Sequence, residues 1–378
     1  MSQLKVDTIR HTSASSDAIT LASDGTATAK ITNVAPGNRN LIINGAMQVA
    51  QRGTSSTTNG YGTVDRFQQG YGGHDEVLTQ AQIDLTSSDT GPWAKGFRKA
   101  MQITNGDQTG GAGAVDYGYI GYVVEAQDLA NSGWDYTSAS SYITLSFWIK
   151  SSVAGNNWVH LYNFDGTAQG YSFLSGNLSA NTWTKVTHSI PGNSNLQLDN
   201  NNSHGFWIQW SAYLGTDYTT SGHTVNQWAN YNSASRQPDM AAATWWTTDE
   251  ATYALTGVQL EVGDVATDYN FKRYGEELLD CQRYYEEISQ HDSGGMAVAI
   301  GQGYNTRKGF GMINFKVTKR VAPTAADVSI GIDEGDTNHT CSFYTTTSGT
   351  TIKSQSSTDI GNADITTGEW TGKFSAEL

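Results

Sequence analysis

Aromatic side chains flanked by amides and carboxylates are the residues of this chain best suited to ligand chemistry. Flat rings can cover the apolar face of a pyranose, while amide and carboxylate groups bond to its hydroxyls. Such rings occur in segments without strand periodicity, namely Trp134, Tyr136, Tyr162, Tyr218, Trp228, Tyr231, Trp245 and Trp246. The pattern predicts glycan contact through loops on a rigid scaffold. Filling of a core or an interface by the same rings is the alternative.

Carboxylates offer a second chemistry, cleavage of a glycosidic bond, which requires two acids facing each other across a cleft. Glu125, Asp135, Asp165 and Glu261 are candidates by residue type, but the sequence does not say which of them share a face. No metalloprotease helix, phosphate loop or nucleophile elbow occurs, and no short rung repeats as in a parallel β-helix. We expect a protein that is not an enzyme and uses no cofactor; a glycan depolymerase is the less favoured alternative.

Metal ligands show no recognisable spacing. None of the eight histidines pairs at helical or zinc-finger spacing. Cys281 and Cys341 are far apart in sequence, which predicts two reduced, packing cysteines and no disulfide. Asp107, Asp116 and Asp128 lie in polar loops where oxygen ligands for calcium could converge, without EF-hand spacing. Metal binding therefore stays open.

Charge and composition exclude several classes of partner. The 378 residues carry a formal charge of -14, so the average field repels nucleic acid and anionic membrane. No apolar run approaches the ~18 residues of a membrane span, and no charged-then-apolar secretion signal begins the chain. From residue 101 to 260 the basic side chains are Lys150, Lys185 and Arg236, in a region rich in tryptophan. That balance suits neutral, hydroxyl-rich partners.

Short alternating apolar runs separated by Gly, Asn, Ser and Thr indicate strands rather than helices. In one run, Ile143, Leu145, Phe147 and Ile149 alternate with polar residues and Trp148. Similar runs recur up to residue 262, which predicts an all-β, jelly-roll-type antiparallel β-sandwich. Because Trp148 faces away from Ile143 and Leu145, it needs a second apolar layer or stays exposed.

The N-terminal segment differs in composition from the predicted sandwich. Residues 1–38 contain a hairpin pattern around Asp24-Gly25 and are too few to bury a core alone. We expect an attachment or oligomerisation segment that acts through Leu4, Val6, Ile9, Ile19 and Leu21.

The sequence after residue 270 predicts one helix followed by further strands. From residue 275 to 288, Leu278, Cys281, Tyr285 and Ile288 share one helical face. The predicted domains are the attachment segment 1–38, the sandwich 39–270, the connecting helix 271–290 and a small C-terminal β domain 291–378.

Six segments resemble one module of a known protein family. Residues 39–53 (RNLIINGAMQVAQRG) and 256–263 (TGVQLEVG) resemble the opening and closing strands of a β-sandwich in tail-fibre-type structural proteins of tailed bacteriophages. Residues 144–151 and 183–192 resemble its central and later strands. Residues 273–285 are similar to the helical signature that follows it, and residues 319–324 to the start of its C-terminal companion.

The resemblance implies a carbohydrate-binding-module-like sandwich in a tail fibre. Such a protein is expected to be a homotrimer that is attached to the particle by its N-terminus and contacts the host surface through sandwich loops or the C-terminal domain. Its expected partners are other tail or virion proteins and host surface polysaccharide. It would be located in the virion after synthesis in the host cytoplasm. A purely structural adaptor or decoration protein without receptor binding is the alternative.

Overall fold

The computed structural model describes residues 6–10, 12–13, 19–21, 23, 25, 27–29, 39–240, 245–288, 299–305, 308–332, 339–356 and 366–378. The fold is all-β with antiparallel sheets, which confirms the fold class predicted from the sequence. The N-terminal strands are β1 (Thr8–Ile9), β2 (Ile19–Leu21) and β3 (Ala27–Ala29). They form a three-stranded sheet in which β2 and β3 flank the predicted turn, with Gly25 at φ +86°.

The sandwich strands are β4 (Ser55–Ser56), β5 (Phe67–Gly72), β6 (Thr79–Asp84), β7 (Lys99–Thr104), β8 (Tyr117–Glu125), β9 (Tyr142–Ser151), β10 (Gly155–Asn163), β11 (Gln169–Leu178), β12 (Thr184–Pro191), β13 (His204–Leu214), β14 (Ala229–Asn230) and β15 (Thr252–Val262). A 3₁₀ turn covers Trp93–Lys95, and two α-helices cover Ala126–Ala130 (α1) and Tyr274–Gln282 (α2). The C-terminal strands are β16 (Tyr285–Ile288), β17 (Ala299–Asn305), β18 (Lys308–Asn314), β19 (Thr324–Ile332), β20 (His339–Thr345), β21 (Gly349–Ser356) and β22 (Thr366–Ser375).

Two six-stranded sheets pack face to face in the sandwich. The first sheet has the order β14-β11-β10-β13-β8-β5, and the second has the order β12-β9-β15-β7-β6-β4. The chain alternates between the sheets, so inward side chains from both interleave; Phe147 of β9 meets Trp210 of β13 edge-on at 5.8 Å. Burial of each such aromatic side chain contributes about 2–3 kcal/mol. This layer is the main core of the molecule.

The two segments that bracket the sandwich in sequence pair directly in space. The Leu41 amide donates to the Leu260 carbonyl at 2.9 Å, and the Val258 amide donates to the Gly45 carbonyl at 2.9 Å. The Asn40 side chain also bonds to this strand, since its Oδ1 accepts from the Leu260 amide at 3.0 Å. A Cβ at Gly45 would overlap the Val258 carbonyl oxygen, so only glycine permits this approach. Residues 39–53 therefore lie against β15, but the prediction that they form an opening strand is wrong, because the structure has no strand between Arg39 and Gly53.

Trp148 contacts a second apolar layer, which its outward position on β9 requires. It packs outside the second sheet with Phe97, Trp183, Trp93 and Tyr269. The Trp183 indole donates to Asp89 at 2.9 Å, which satisfies the polar edge of the ring. Trp148 and Trp183 are therefore structural side chains.

The predicted helix is shorter than its apolar periodicity suggests. Helix α2 ends at Gln282, and Tyr285 and Ile288 instead lie in β16, which pairs with β22 through Tyr285↔Ser375. The prediction of helix through residue 288 is wrong because the available partner strand offers the backbone a ladder of hydrogen bonds. Two apolar residues four positions apart lie on the same face in a helix and also in a strand.

The C-terminal sheet has the order β16-β22-β17-β18-β21-β20, with β19 also paired to β22. It meets the sandwich through a polar contact, which we call the joint and define by Arg66, Glu125, Arg283, Arg320 and Glu377. Arg283 binds Glu125 with two hydrogen bonds of 2.9 and 3.0 Å, and Arg66 pairs with Glu377. Arg320 donates to the carbonyls of Asn202, Ala376 and Glu377 at 2.7–2.8 Å.

Candidate functional site

Four of the predicted glycan-binding residues lie in the sandwich core. Trp134, Trp228, Trp245 and Trp246 are 3%, 8%, 5% and 0% exposed. The Trp228 indole donates to the Pro191 carbonyl at 2.7 Å and its ring packs against Tyr171 and Phe206. Burial contradicts the expectation that these indoles are exposed in loops, because the connections that carry them fold back over the ends of the sheets.

The other four predicted residues are tyrosines with different surroundings. Tyr136 packs partly against the core beside Trp134. Tyr162, Tyr218 and Tyr231 lie on the outer side of the first sheet, where Tyr162 and Tyr231 stack at 4.4 Å with planes 14° apart. The outer side of this sheet therefore holds three of the eight predicted residues, of which Tyr218 and Tyr231 are half-buried and Tyr162 is buried at 6% exposure.

That surface contains three further rings that the sequence reading missed. Strand alternation places Tyr117 and Tyr119 of β8 and Trp207 of β13 on the outer side, opposite the inward Ile120 and Ile208. Trp207 stacks on Tyr162, its register partner, at 5.6 Å with planes 20° apart. We define the outer aromatic face as Tyr117, Tyr119, Tyr162, Trp207 and Tyr231. The sequence signal was present as tyrosines two residues apart in a strand.

Two glycines of β5 set the orientation of the β8 rings. Gly70 pairs with Tyr119 and Gly72 pairs with Tyr117. A Cβ at either glycine would overlap the tyrosine ring opposite, so each ring lies over the bare backbone of its partner. This is the arrangement in which an aromatic ring covers a glycine across strands. As a result the two rings have nearly parallel planes, 18° apart.

Polar groups without partners lie between these rings. Among the described residues, Gln209 Oε1, Gln237 Nε2 and Trp207 Nε1 have no hydrogen-bond partner, whereas the His160 imidazole interacts with the Arg236 backbone. His160 pairs with Gln209 across β10 and β13, so the two side chains are neighbours on the outer side. Burial, and then the charge of Arg236, lower the pKa of His160 to about 3, so the imidazole is neutral.

The connection from residue 215 to 240 packs against one half of this surface. The Asn226 amide donates to the Ser172 carbonyl and the Tyr231 amide to the Ala168 carbonyl, both at 2.8 Å. Arg236 is fixed by its amide, which donates to the Tyr218 carbonyl at 2.9 Å, and its guanidinium lies 4.8 Å from the centre of the Tyr218 ring. The connection therefore adds Tyr231 and one cation to rings that belong to the sheet.

The four carboxylates considered for catalysis have separate partners. Glu125 binds Arg283 in the joint, and Glu261 binds Arg39 and Thr267. Asp135 accepts from Thr137, and Asp165 accepts from the Asp199 amide. Each of the four acids therefore has its own hydrogen-bond or ion-pair partner among the described residues.

The described part of the chain bears on two further questions, metal binding and membrane spanning. No group of three or more His, Cys, Asp or Glu side chains that could hold a metal ion occurs there. The candidate Asp116 instead accepts a hydrogen bond from the Gly113 amide. Cys281 is buried with a free thiol, and the side chain of Cys341 lies outside the described residues. No described helix is long and apolar enough to cross a membrane.

Comparison with solved structures finds distant similarity. The enzymatically active domain of bacteriophage CBA120 tailspike protein 4 matches with TM-score 0.31 and 9% identity, over 61% of this chain and 22% of that chain. A putative sugar binding protein from Bacteroides thetaiotaomicron matches with TM-score 0.29 and 13% identity, over 60% and 100%. The tripod from the baseplate of bacteriophage Tuc2009 matches with TM-score 0.24 and 11% identity, over 95% of each chain.

The TM-scores are all below 0.5, so these similarities carry no inference about function. No family model matches the chain. No curated protein matches it.

Proposed function

We propose that this protein is a tail-fibre-type structural component of a phage virion and that it contacts host surface glycans through the outer aromatic face. The sequence resemblance over residues 39–324 supports the class of protein. The observation that carries the binding function is the grouping of five rings on the outer side of one rigid sheet. A host glycan would lie across these rings.

The physical chemistry of the face suits a sugar. A pyranose ring that covers ~100 Å² of apolar surface gains about 2.5 kcal/mol from burial, before the polar contacts are counted. The phenol hydroxyl of the half-buried Tyr117 offers a donor and an acceptor for sugar hydroxyls beside the rings. Several weak subsites on one surface would together give useful affinity, and three copies in a fibre would raise it by avidity.

Binding without hydrolysis is part of this proposal. Glu125 and Glu261, the buried members of the candidate acids, already balance Arg283 and Arg39. Moving either carboxylate to a substrate would break its ion pair with Arg283 or Arg39, whose side chains are 31% and 18% exposed. We expect no reducing ends to be released when host polysaccharide is incubated with the protein.

A glycan array with the full chain tests the proposal. Trp207→Ala removes a ring of the outer aromatic face, and Trp93→Ala removes a half-buried ring outside the second sheet as a matched control. We expect Trp207→Ala to lower binding to the best glycan at least tenfold, while Trp93→Ala retains it. Equal binding by wild type and Trp207→Ala would exclude the face as the binding surface.

The N-terminal sheet is proposed to join the particle and to support a homotrimer. Val6, Ile9 and Leu21 are 38%, 51% and 40% exposed, Ile19 is half-buried, and Leu4 lies outside the described residues. Apolar side chains on so small a sheet gain stability only when another chain covers them. This observation also favours the second candidate function, an adaptor that joins virion proteins. An adaptor would enter particles and bind no glycan on the array.

A further inference from the structure

Arg236 is a cation at a surface that otherwise consists of rings and neutral polar groups. It is the only Lys or Arg from residue 186 to 271. Its Nε donates to the Ser233 carbonyl at 3.1 Å, and its guanidinium stacks on Tyr218, which in turn contacts Tyr117 of the outer aromatic face at 5.5 Å. Its charge also contributes to the lowered pKa of His160. The guanidinium therefore lies beside the rings.

No carboxylate of the described residues forms an ion pair with Arg236. The acid closest to it in sequence, Asp239, accepts a hydrogen bond from Thr219 at 2.7 Å instead. A guanidinium has five donors in a planar fork, and one of them is used by Ser233. The remaining donors match the two oxygens of a carboxylate.

Buried polar groups around the cation add a second observation that points to a ligand. Gln209 is 1% exposed, yet its Oε1 has no hydrogen-bond partner. Gln237, next to Arg236 in sequence, accepts from Ser211 at 2.9 Å while its Nε2 has no partner. An unsatisfied buried polar group costs about 1–3 kcal/mol, and a ligand with several hydroxyls removes that cost.

We propose that the outer aromatic face binds a glycan that contains an acidic sugar, and that Arg236 pairs with the carboxylate of that sugar while the adjacent rings cover its pyranose face. This inference rests on the proposed glycan-binding function and names its ligand class. The ligand class is a hexuronic acid or another sugar acid within an oligosaccharide.

The overall charge of the chain does not oppose one such contact. The formal charge of -14 is spread over 378 residues, and exposed charges further away than about 8 Å are largely screened at physiological salt. A charge-assisted pair at Arg236 is local and shielded on one side by Tyr218. The preference for neutral ligands that the composition suggests therefore applies to the region as a whole. The subsite at Arg236 instead prefers an acidic group.

The experiment compares two probes that differ only in charge, an oligogalacturonide and its fully methyl-esterified form, together with a panel of neutral oligosaccharides. The full chain is measured by titration calorimetry beside Arg236→Gln, Arg236→Lys and Arg98→Gln. Arg98 is a matched control, because its guanidinium also stacks on a ring, Trp93, at 3.7 Å outside the second sheet. Wild-type thermal unfolding in all three variants establishes that they are folded.

We expect the acidic probe to bind at least tenfold more tightly than its methyl ester. Arg236→Gln should remove that difference, Arg236→Lys should keep part of it, and Arg98→Gln should leave it unchanged. Equal affinity for both probes, or an acid preference that survives in Arg236→Gln, overturns the inference while glycan binding itself stands. If neither probe nor any neutral glycan binds, the proposed function fails and the inference fails with it.

Discussion

At the scale of single residues, the same types of aromatic side chain can bind a ligand or fill the core. Only the direction of the side chain separates the two roles. Trp207 and Trp210 are both in β13, yet Trp207 lies on the outer face while Trp210 is fully buried in the core. The difference follows from strand alternation. The composition of the strand contains no such information, so a count of aromatic residues identifies neither role.

The contact between Gly70 and Tyr119 gives a prediction for a single methyl group. Gly70→Ala should displace the Tyr119 ring, because the new Cβ overlaps it, and should lower glycan affinity about three- to tenfold. The control is Gly222→Ala, since no atom lies within 4 Å of a Cβ built there. Affinity for the best array glycan is the measurement. Loss of affinity in both variants, or in neither, would contradict the role of the glycine.

Trp228 and Tyr231 are close in sequence, but their positions in the structure differ. A second prediction is that their substitutions have different effects. Trp228→Ala should lower the free energy of unfolding by about 3–5 kcal/mol, because a large buried ring leaves a cavity. Tyr231→Ala should chiefly lower glycan affinity, because this half-buried ring stacks on the face at Tyr162. Chemical denaturation and binding of both variants are measured. A stable Trp228→Ala would show that its ring is not part of the core.

The place of a ring can be predicted from the sequence where its local pattern is recognisable. It cannot be predicted where the position of the ring depends on contacts with residues distant in sequence. The sequence predicts an open loop for Trp245 and Trp246. The structure instead buries both indoles in the main core, where the Trp246 ring packs against Tyr213. Their segment has no periodicity, so the sequence offers no signal for the direction in which it folds.

At the scale of elements, the segments that resemble phage fibre proteins meet in the joint and along β15. Arg52, from the opening segment, lies 3.6 Å from the ring centre of Tyr285, which ends the helical signature. The Arg320 amide, from the last segment, donates to the Arg283 carbonyl at 3.0 Å. These motifs are therefore structural, and none of them contains a residue of the outer aromatic face.

Asp65, beside the joint, gives a prediction about pH. Its carboxylate accepts from the Gln51 amide at 3.0 Å, and Gln51 Nε2 donates to both Asp65 and the Tyr285 carbonyl. Burial raises the pKa of Asp65 to about 6, against the opposing effect of Arg52. The folded state therefore holds the proton more tightly than the unfolded state, whose carboxyl has a pKa near 3.8.

The sign follows from proton linkage. Between about pH 4 and 6 the folded state binds more protons, so the Asp65 contribution to the free energy of unfolding falls as pH rises, by up to about 3 kcal/mol. Asp65→Asn should remove this slope from the stability profile, measured by denaturation at several pH values. Asp84→Asn, at an exposed ion pair with Lys99, is the control and should keep the slope. An unchanged profile in Asp65→Asn would mean that burial does not raise this pKa.

At the scale of the whole molecule, the sandwich, the joint and the C-terminal sheet are linked by contacts between residues far apart in sequence. Glu377 pairs with Arg52 and Arg66, and the Ala376 amide donates to the Tyr284 carbonyl at 2.6 Å. Breaking a buried pair of this kind costs about 3–5 kcal/mol. The N-terminal sheet differs, because its apolar side chains Val6, Ile9 and Leu21 are exposed. The body should therefore be stable without it.

Deletion of residues 1–38 tests this division of roles. The shortened chain should unfold at the same temperature as the full chain, because the cores of the sandwich begin at Leu41 among the residues that the structure describes. The full chain should have a native mass of about three times 40.8 kDa, and the shortened chain should fail to enter particles in a complementation assay. The double variant Ile9→Asp with Leu21→Asp should match the deletion, since it removes the apolar contact and keeps the length. Normal incorporation of both variants would place attachment in another part of the chain, and a trimer that persists without residues 1–38 would place the subunit contact in the sandwich or the C-terminal sheet.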